Sequence, residues 1–329
     1  MAPMEHLPAG AAAPAAEQGG APPGRLVRVV LLMTAAGAAF YLALGFWVGW
    51  TELAAAIARL GWWLAAGIPV SLVAYLVRFL RWDYLLRRVG AHVPWRVGSR
   101  IFLAGLALTA TPAKAGENVR SVLLLPWEVP VGASLVVFFV ERLTDLIAVL
   151  LLAALTAGAW HWWWMPGTAL IVGTALRWLF AHGQAARLAD ALAAYPRLAW
   201  ARALLADGMQ GYLRAWRLPV VAGCIAIGTL AYGMQALLFA LFVQLLSPTI
   251  GLLACINIFT VSTLAGAASM LPGGLGVNEI TMIALLGREG MPQADAAAAA
   301  VGTRLVGFWL GIAIGAACVA SFRWTRPPT

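Results

Sequence analysis

Charged residues and cysteines are scarce in this chain of 329 residues. Only 11% of the residues are charged, 13 of them acidic, and a single lysine stands beside 21 arginines. The three cysteines all lie within apolar runs, which is typical of small buried side chains and not of a disulfide framework. The four histidines are unclustered, and no HExxH, Walker or GxSxG pattern occurs. The sequence therefore predicts no metal site, no cofactor and no enzymatic activity.

Apolar residues, by contrast, make up 62% of the chain, and the mean hydropathy is +0.85. Several runs exceed about 18 apolar residues, the length at which a helix crosses a bilayer. These runs are too long for barrel strands, and a helix satisfies its own backbone in lipid, so the sequence predicts an all-α polytopic membrane protein. The net charge of +9 is interpreted as contact with anionic lipid and cytoplasmic arginine, without nucleic acid as a partner.

The apolar pattern also divides the chain into segments. An uncharged Ala/Pro/Gly-rich stretch over 1–24 predicts a disordered cytoplasmic tail before a single transmembrane domain over 25–326. Residues 184–216 have apolar positions three to four apart with arginines between them, which favours amphipathic helices that either contact anionic lipid or form a packed linker. About six full spans are predicted, over approximately 26–50, 61–86, 130–158, 166–183, 218–246 and 294–321.

Arginine clusters indicate how these spans are oriented. They precede the first span, follow the second, separate the fourth from the fifth and follow the last. Since arginine-rich loops stay in the cytoplasm, both termini are expected on the cytoplasmic side of the cell inner membrane. Segments 97–125 and 250–288 must then each enter and leave on one face, and on opposite faces. The sequence thus predicts two re-entrant hairpins in an inverted repeat, over about 61–158 and 218–321, and about eight membrane segments in all.

Each predicted hairpin contains a proline-glycine break. The first reads TPAKAGENVR over 111–120, and the second reads LPGGLGVNE over 271–279. In both, proline is followed four residues later by glycine and then by Glu and Asn at an expected helix start. Broken helices at corresponding points of two halves are typical of a transporter's binding site. If the helices restart near Gly116 and Gly276, their free N–H groups would bind an anion, although Glu117 and Glu279 could instead complement their own helix dipoles.

Two arginines are expected deep inside long apolar helices, Arg142 and Arg304. A charge at the bilayer centre costs roughly 2.5–3.5 kcal/mol on insertion scales, so each should face a cavity or a partner. Asp145, one turn after Arg142, is its expected partner, and Glu279 is the expected partner of Arg304. The alternative is that these pairs only clamp helices together.

For a second set of charged residues, the sequence spacing indicates the contacts less directly. Glu141 points away from Arg142 on the same helix and is expected to meet Arg120. Arg78 and Arg81 are expected to extend to cytoplasmic head groups in preference to a site. The candidate substrate-binding residues are therefore Lys114, Gly116, Glu117, Asn118, Arg120, Glu141, Arg142, Asp145, Gly273, Gly274, Gly276, Asn278, Glu279 and Arg304.

Four segments together resemble one known family. They are RFLRWDYLLRRVG (78–90), TPAKAGENVRSVLLL (111–125) with FFVERLTDLIAVLLL (138–152), LPGGLGVNEITMIALL (271–286) and AAAAVGTRLVGFWLGIAIG (297–315). They resemble the lysylphosphatidylglycerol synthase transmembrane-domain family of flippase-like membrane proteins. The resemblance implies movement of a lipid between leaflets, and by motif it carries over Lys114, Glu117, Arg120, Glu141, Arg142, Asp145, Glu279 and Arg304.

The resemblance leaves the substrate open among an anionic phospholipid, a polyprenyl phosphate and a hopanoid-type lipid. Bifunctional members carry a separate synthase domain, and this chain, which ends at Thr329, is expected to be a stand-alone transport unit. One alternative is an intramembrane lipid-modifying enzyme with Glu117 or Glu279 as base. The other is an accessory scaffold of a lipid-synthesis complex. Expected partners are membrane lipids, with a second copy of the chain or lipid-biosynthesis enzymes as further candidates.

Overall fold

A computed structural model describes residues 23–111, 116–158, 162–183, 187 and 199–321. Within these ranges the chain is helical and contains no strand, as the apolar composition predicts. Two sequence predictions fall outside the described residues. They concern Lys114 and the tail over 1–24, apart from its last two residues.

The helices follow closely on one another, with short connections. In chain order they are α1 Pro23–Val48, α2 Trp50–Leu60, α3 Trp63–Arg88, α4 Trp95–Leu106, α5 Val119–Leu124, α6 Val131–Thr156, α7 Trp164–Ala181, α8 Ala199–Ala215, α9 Leu218–Leu246, α10 Leu252–Ala268, α11 Val277–Arg288, α12 Gln293–Arg304 and α13 Leu310–Ser321. A π-helical turn over Leu305–Trp309 joins α12 to α13, and 3₁₀ turns lie at Leu125–Trp127 and Pro272–Gly274.

The long helices coincide with the six predicted spans. Three are long and apolar enough to cross a membrane by themselves, namely α3, α9 and the continuous Gln293–Ser321. A fourth is obtained if α1 and α2 count as one bent span. Helix α6 has the same length as α3, but three charged residues near its middle interrupt its apolar sequence. The protein is thus an integral, multi-pass helical membrane protein, whereas the count of eight segments stays a prediction.

Helix α2 is an element that the sequence analysis left unassigned between two spans. It meets α1 at an angle of 106°. The bend lies at Gly49, whose φ of 99° belongs to the left-handed region that glycine adopts without strain. Leu53, Ala56 and Leu60 are buried along one side of α2, at the spacing of an amphipathic helix. The first predicted span therefore ends at Val48, and the chain turns there to lie against the bundle.

The segment predicted as amphipathic is described from residue 199 onward, where it forms α8. Tyr212 and Trp216 at its end are buried and stacked, with ring centroids 5.7 Å apart. The Tyr212 hydroxyl donates to the Gly173 carbonyl of α7 at 2.9 Å. Since α8 also packs along α6, it is part of the packed bundle, and contact of this segment with anionic lipid stays a prediction.

The chain contains two successions of a long helix, an interrupted hairpin and a long helix. The first comprises α3, α4–α5 and α6, and the second comprises α9, α10–α11 and α12–α13. The leading helices α3 and α9 pack on each other. Each hairpin packs its first arm on the closing helix of the other half, α4 on α13 and α10 on α6. The short helices α2 and α8 likewise pack on α12 and α6. This exchange of partners places the described residues that flank the first break beside the second break.

Candidate functional site

Residues that flank the first proline-glycine break and residues of the second break line one cavity of about 520 Å³ between the two halves. Thr111 and Glu117 on either side of the first break, and Gly273 in the second, form part of its wall. Gly273 lies next to the residues that precede the first break, because a Cβ built on it would be 3.4 Å from the Cα of Ala110. The same Cβ would overlap the Phe308 ring, and Gly273 has a φ of 60°. Glycine is therefore required here both by the space and by the left-handed backbone.

A closed ring of six charged side chains lies at this cavity. Three arginines alternate with three carboxylates, so the ring has no net charge. In order, it runs through Glu117, Arg120, Glu141, Arg81, Asp145, Arg142 and back to Glu117, with successive N···O distances of 3.1, 3.4, 3.9, 2.7, 3.2 and 3.7 Å. Each carboxylate touches two arginines, which compensates for its removal from water.

Three separate elements supply the ring. Helix α6 contributes Glu141, Arg142 and Asp145, whose three- and four-residue spacings place them on one side of the helix. The end of the first break and α5 contribute Glu117 and Arg120. Two pairs expected from the sequence are present, namely Arg142 with Asp145 and Arg120 with Glu141.

The third contributor, Arg81 of α3, was expected at cytoplasmic head groups, and that prediction is wrong. Its side chain is only 1% exposed and lies 2.7 Å from Asp145 Oδ1. Helix α9 makes room for it at Gly228, where a Cβ would lie 2.9 Å from Arg81 Nη1. Arg81 is about two turns from the end of α3, so its spacing from the membrane interface fits both an extended side chain at the head groups and a buried one. The burial of Ser71, Ala74 and Tyr75 on α3 gives the direction of its inner face.

At the cavity, the described residues of the second half form one ion pair in place of a ring. Arg304 Nε donates to Glu279 Oε1 at 2.7 Å, as the sequence predicted. Arg304 also donates to the Gly273 carbonyl at 2.8 Å and places its guanidinium 4.0 Å from the centre of the Phe308 ring. Glu279 is fully buried and additionally accepts from the Tyr41 hydroxyl at 3.1 Å. This pair therefore ties α11 and α12 to the second break.

One backbone N–H group at each of the two expected helix starts is bonded within the chain. Gly116 N–H donates to the Thr111 hydroxyl at 2.6 Å, and Gly276 N–H donates to Glu279 Oε2 at 2.9 Å. The first restart leads into α5, which is only six residues long. These two glycine N–H groups are therefore not open to an anion, and Glu279 caps its own helix, as the alternative reading had it. Anion binding by the other first-turn N–H groups of the two helices stays a prediction.

Arg78 supplies the excess positive charge of the cavity. In the described part of the chain, no carboxylate pairs with Arg78. The other four arginines that line the cavity pair with four carboxylates, namely the three of the ring and Glu279. Its guanidinium carbon lies 4.6 Å from the centre of the Tyr232 ring. Its Nε has no hydrogen-bond partner among the described residues. The described groups thus leave one net positive charge, at Arg78.

The sequence does contain a signal for Arg78. Tyr75 and Arg78 on α3 have the same spacing as Tyr232 and Gln235 on α9, and all four line the cavity. The two leading helices therefore present matching positions to it. Arg78, expected at head groups like Arg81, is instead placed at the cavity, because α3 packs on α9 along this face.

The sequence-predicted site residues have different positions relative to the cavity. Glu279 lies behind Arg304, whereas Gly116, Asn118 and Gly276 are near the breaks but outside the lining. Among the described residues, no group of three His, Cys, Asp or Glu side chains is placed to hold a metal ion. The predicted residues that line the cavity are Glu117, Arg120, Glu141, Arg142, Asp145, Gly273, Gly274, Asn278 and Arg304.

Comparison with known families settles the classification. Residues 28–315 match the family described as the lysylphosphatidylglycerol synthase TM region. The chain belongs to this family. The match covers both halves of the bundle and confirms the resemblance drawn from the four sequence segments. The matched residues of this chain thus include the ring, the pair of Arg304 with Glu279, and Arg78.

Two curated proteins of Methanothermobacter thermautotrophicus, each called a UPF0104 membrane protein, are similar over shorter stretches. One is 34% identical over 110 residues, which is 33% of this chain and 33% of the relative. The other is 33% identical over 98 residues, which is 30% of this chain and 29% of the relative. The chain therefore matches about a third of the length of these curated relatives, both of which are described as membrane proteins.

Proposed function

We propose that this protein moves an anionic lipid between the two leaflets of a membrane, with the phosphate of the lipid head group bound in the central cavity. The observation that carries the proposal is the unpaired charge of Arg78 in a cavity whose other described charges balance. A phosphate oxygen is the partner that a guanidinium with open N–H donors favours. Family membership and the membrane helices support a role in lipid handling.

The ring of alternating charge explains how such a site remains stable in lipid. An isolated arginine at the bilayer centre costs roughly 2.5–3.5 kcal/mol on insertion scales. The three ring arginines avoid that cost through paired carboxylates, and Arg78 offsets part of it on the face of Tyr232. The head group then binds Arg78 and also accepts hydrogen bonds from ring arginines. The Nε atoms of these arginines have no hydrogen-bond partner among the described groups.

The fold suggests how the site alternates between leaflets. We propose that the two halves, over about 61–158 and 218–321, are inverted repeats with about eight membrane segments and hairpins that open from opposite faces. The exchange of packing partners between the halves supports this arrangement. We also expect both termini in the cytoplasm and the protein in the cell inner membrane, as the arginine distribution favours.

The proposal includes no bond-breaking chemistry. The two carboxylates that could act as bases, Glu117 and Glu279, each contact arginine already. Their positions suit counter-ions of a binding site. The charge of Arg78 favours phosphate-bearing lipids, such as a phospholipid or a polyprenyl phosphate, over an uncharged hopanoid-type lipid.

An exchange assay in proteoliposomes tests the proposal. Purified protein is reconstituted with trace labelled phosphatidylglycerol, polyprenyl phosphate, phosphatidylcholine or a hopanoid, and label accessible from outside is followed with time. We expect protein-dependent exchange that is faster for the anionic lipids than for the other two. Altered head groups recovered after the assay would identify an enzyme. Absence of both exchange and chemistry would favour the scaffold.

A further inference from the structure

A second group of arginines lies away from the central cavity, where α3, α7 and α8 end. Arg88, Arg177, Arg214 and Arg217 line a pocket of about 600 Å³ together with Ala181 and Leu213. No carboxylate pairs with any of these four arginines in the described part of the chain, and the nearby pair of Arg87 with Asp83 leaves them out. Four like charges are therefore held together without a described counter-ion.

The arginines are held in place by contacts with the fold. Arg177 donates to the Leu213 carbonyl, which links α7 to α8. The Arg88 guanidinium lies 4.9 Å from the centre of the Tyr84 ring. Arg214 approaches the backbone at Gly90, where a Cβ would lie 3.3 Å from Arg214 Nη1. These contacts hold three of the four arginines, and Arg217 completes the lining of the pocket.

Helix ends do not account for this much positive charge. Three helix C-termini converge here, and each carries a partial negative charge of roughly one half. Four arginines exceed that sum by more than two charges. The pocket is thus strongly electropositive, and its open guanidinium donors match the oxygens of a phosphate group.

Exposed apolar side chains that directly follow two of the pocket arginines in the chain indicate the source of that phosphate. Trp178 and Leu218, next in sequence to Arg177 and Arg217, are 57% and 77% exposed. In a membrane protein, an exposed apolar rim next to a basic pocket suits a lipid, whose acyl chains cover the rim while the head group contacts the cations. We propose that this four-arginine pocket binds the phosphate of an anionic membrane phospholipid as a site separate from the central cavity.

Binding of short-chain phosphatidylglycerol to the purified protein in detergent tests this site. The Arg78→Gln background is used to weaken the central cavity, and inorganic phosphate and short-chain phosphatidylcholine are measured in parallel. We expect Arg88→Gln/Arg217→Gln to weaken phosphatidylglycerol binding about tenfold or more. The matched control, Arg96→Gln/Arg100→Gln, removes the same charge from exposed positions on α4 and should change binding less than about twofold.

The conservative pair Arg88→Lys/Arg217→Lys keeps the charge and should retain most of the affinity. If the double Gln variant does not fold, the exposed single substitution Arg217→Gln carries the test, with an expected loss of about threefold or more. Unchanged phosphatidylglycerol binding in the pocket variants, or an equal loss in the α4 control, would overturn the site. Equal affinity for inorganic phosphate would show a pocket for free phosphate instead of a lipid. Because the readout is binding and not exchange, failure here is distinguishable from failure of the proposed transport.

Discussion

Arg304 Nε lies 2.7 Å from Glu279 Oε1, across 25 residues that turn the chain from α11 into α12. The same guanidinium holds the Gly273 carbonyl at the second break. The first half achieves the corresponding connection with a ring of six charges. The two halves therefore use different numbers of ion pairs to stabilise one shared cavity, and this difference leads to separate predictions for each.

Arg304 and Glu279 should be strongly coupled. Arg304→Gln leaves a fully buried carboxylate without its cation, so we expect a loss of about 3–5 kcal/mol in stability. The double variant Arg304→Gln/Glu279→Gln removes the stranded charge and should recover part of that loss. Thermal unfolding in detergent measures the cycle. Additive losses of the two single variants would contradict a direct pair.

The ring predicts a similar loss of stability when Arg81 on α3 is replaced. Arg81→Gln removes one cation shared by Asp145 and Glu141, and we expect destabilisation of about 3–5 kcal/mol. Arg87→Gln, which removes an exposed cation from the largely buried Asp83 on the same helix, is the matched control and should cost less than Arg81→Gln, because only one carboxylate loses a partner. Equal unfolding temperatures of the two variants would place Arg81 outside a buried network.

Gly273 should tolerate no side chain. Gly273→Ala places a methyl group against the Phe308 ring and strains a φ of 60°, so we expect a loss of about 1–3 kcal/mol in stability. Gly287→Ala is the control, because that helical position has open space around it and alanine favours helix there. The measurement is unfolding temperature for both variants. A destabilised Gly287→Ala beside an unaffected Gly273→Ala would refute the close approach.

The proposed inverted repeat makes a topological prediction. Single cysteines at Trp127 and Gly287, in a variant without the native cysteines, mark the ends of the two hairpins. An impermeant thiol reagent added to intact cells should label the cysteine at position 287, on the outer side, and should label the one at position 127 only after the cells are opened. Labelling of both positions from one side would rule out the inverted arrangement, without bearing on the ion pairs.

Helix positions could be predicted from the sequence because long apolar runs have few other solutions in a membrane protein. Pairs within a turn, such as Arg142 with Asp145, could also be predicted from spacing alone. The closed ring could not, because it depends on how α3 packs on α6 and α9. Arg81 lies where either snorkelling or burial fits the sequence, and Gly228 on another helix decides the outcome. Helix α2 escaped prediction because residues 51–60 are too short and too mixed for a span.

The measurement that tests the central claim most directly is lipid exchange by Arg78→Gln in proteoliposomes. Arg78 has no described carboxylate partner, so its substitution strands no acid, and the unfolding temperature should stay near that of the wild type. We expect exchange of the preferred anionic lipid to fall roughly tenfold or more, since a charged hydrogen-bond donor to phosphate is lost. Arg100→Gln, an exposed arginine on α4, should keep full exchange. Full exchange by a folded Arg78→Gln protein would contradict the assignment of the cavity as the lipid site.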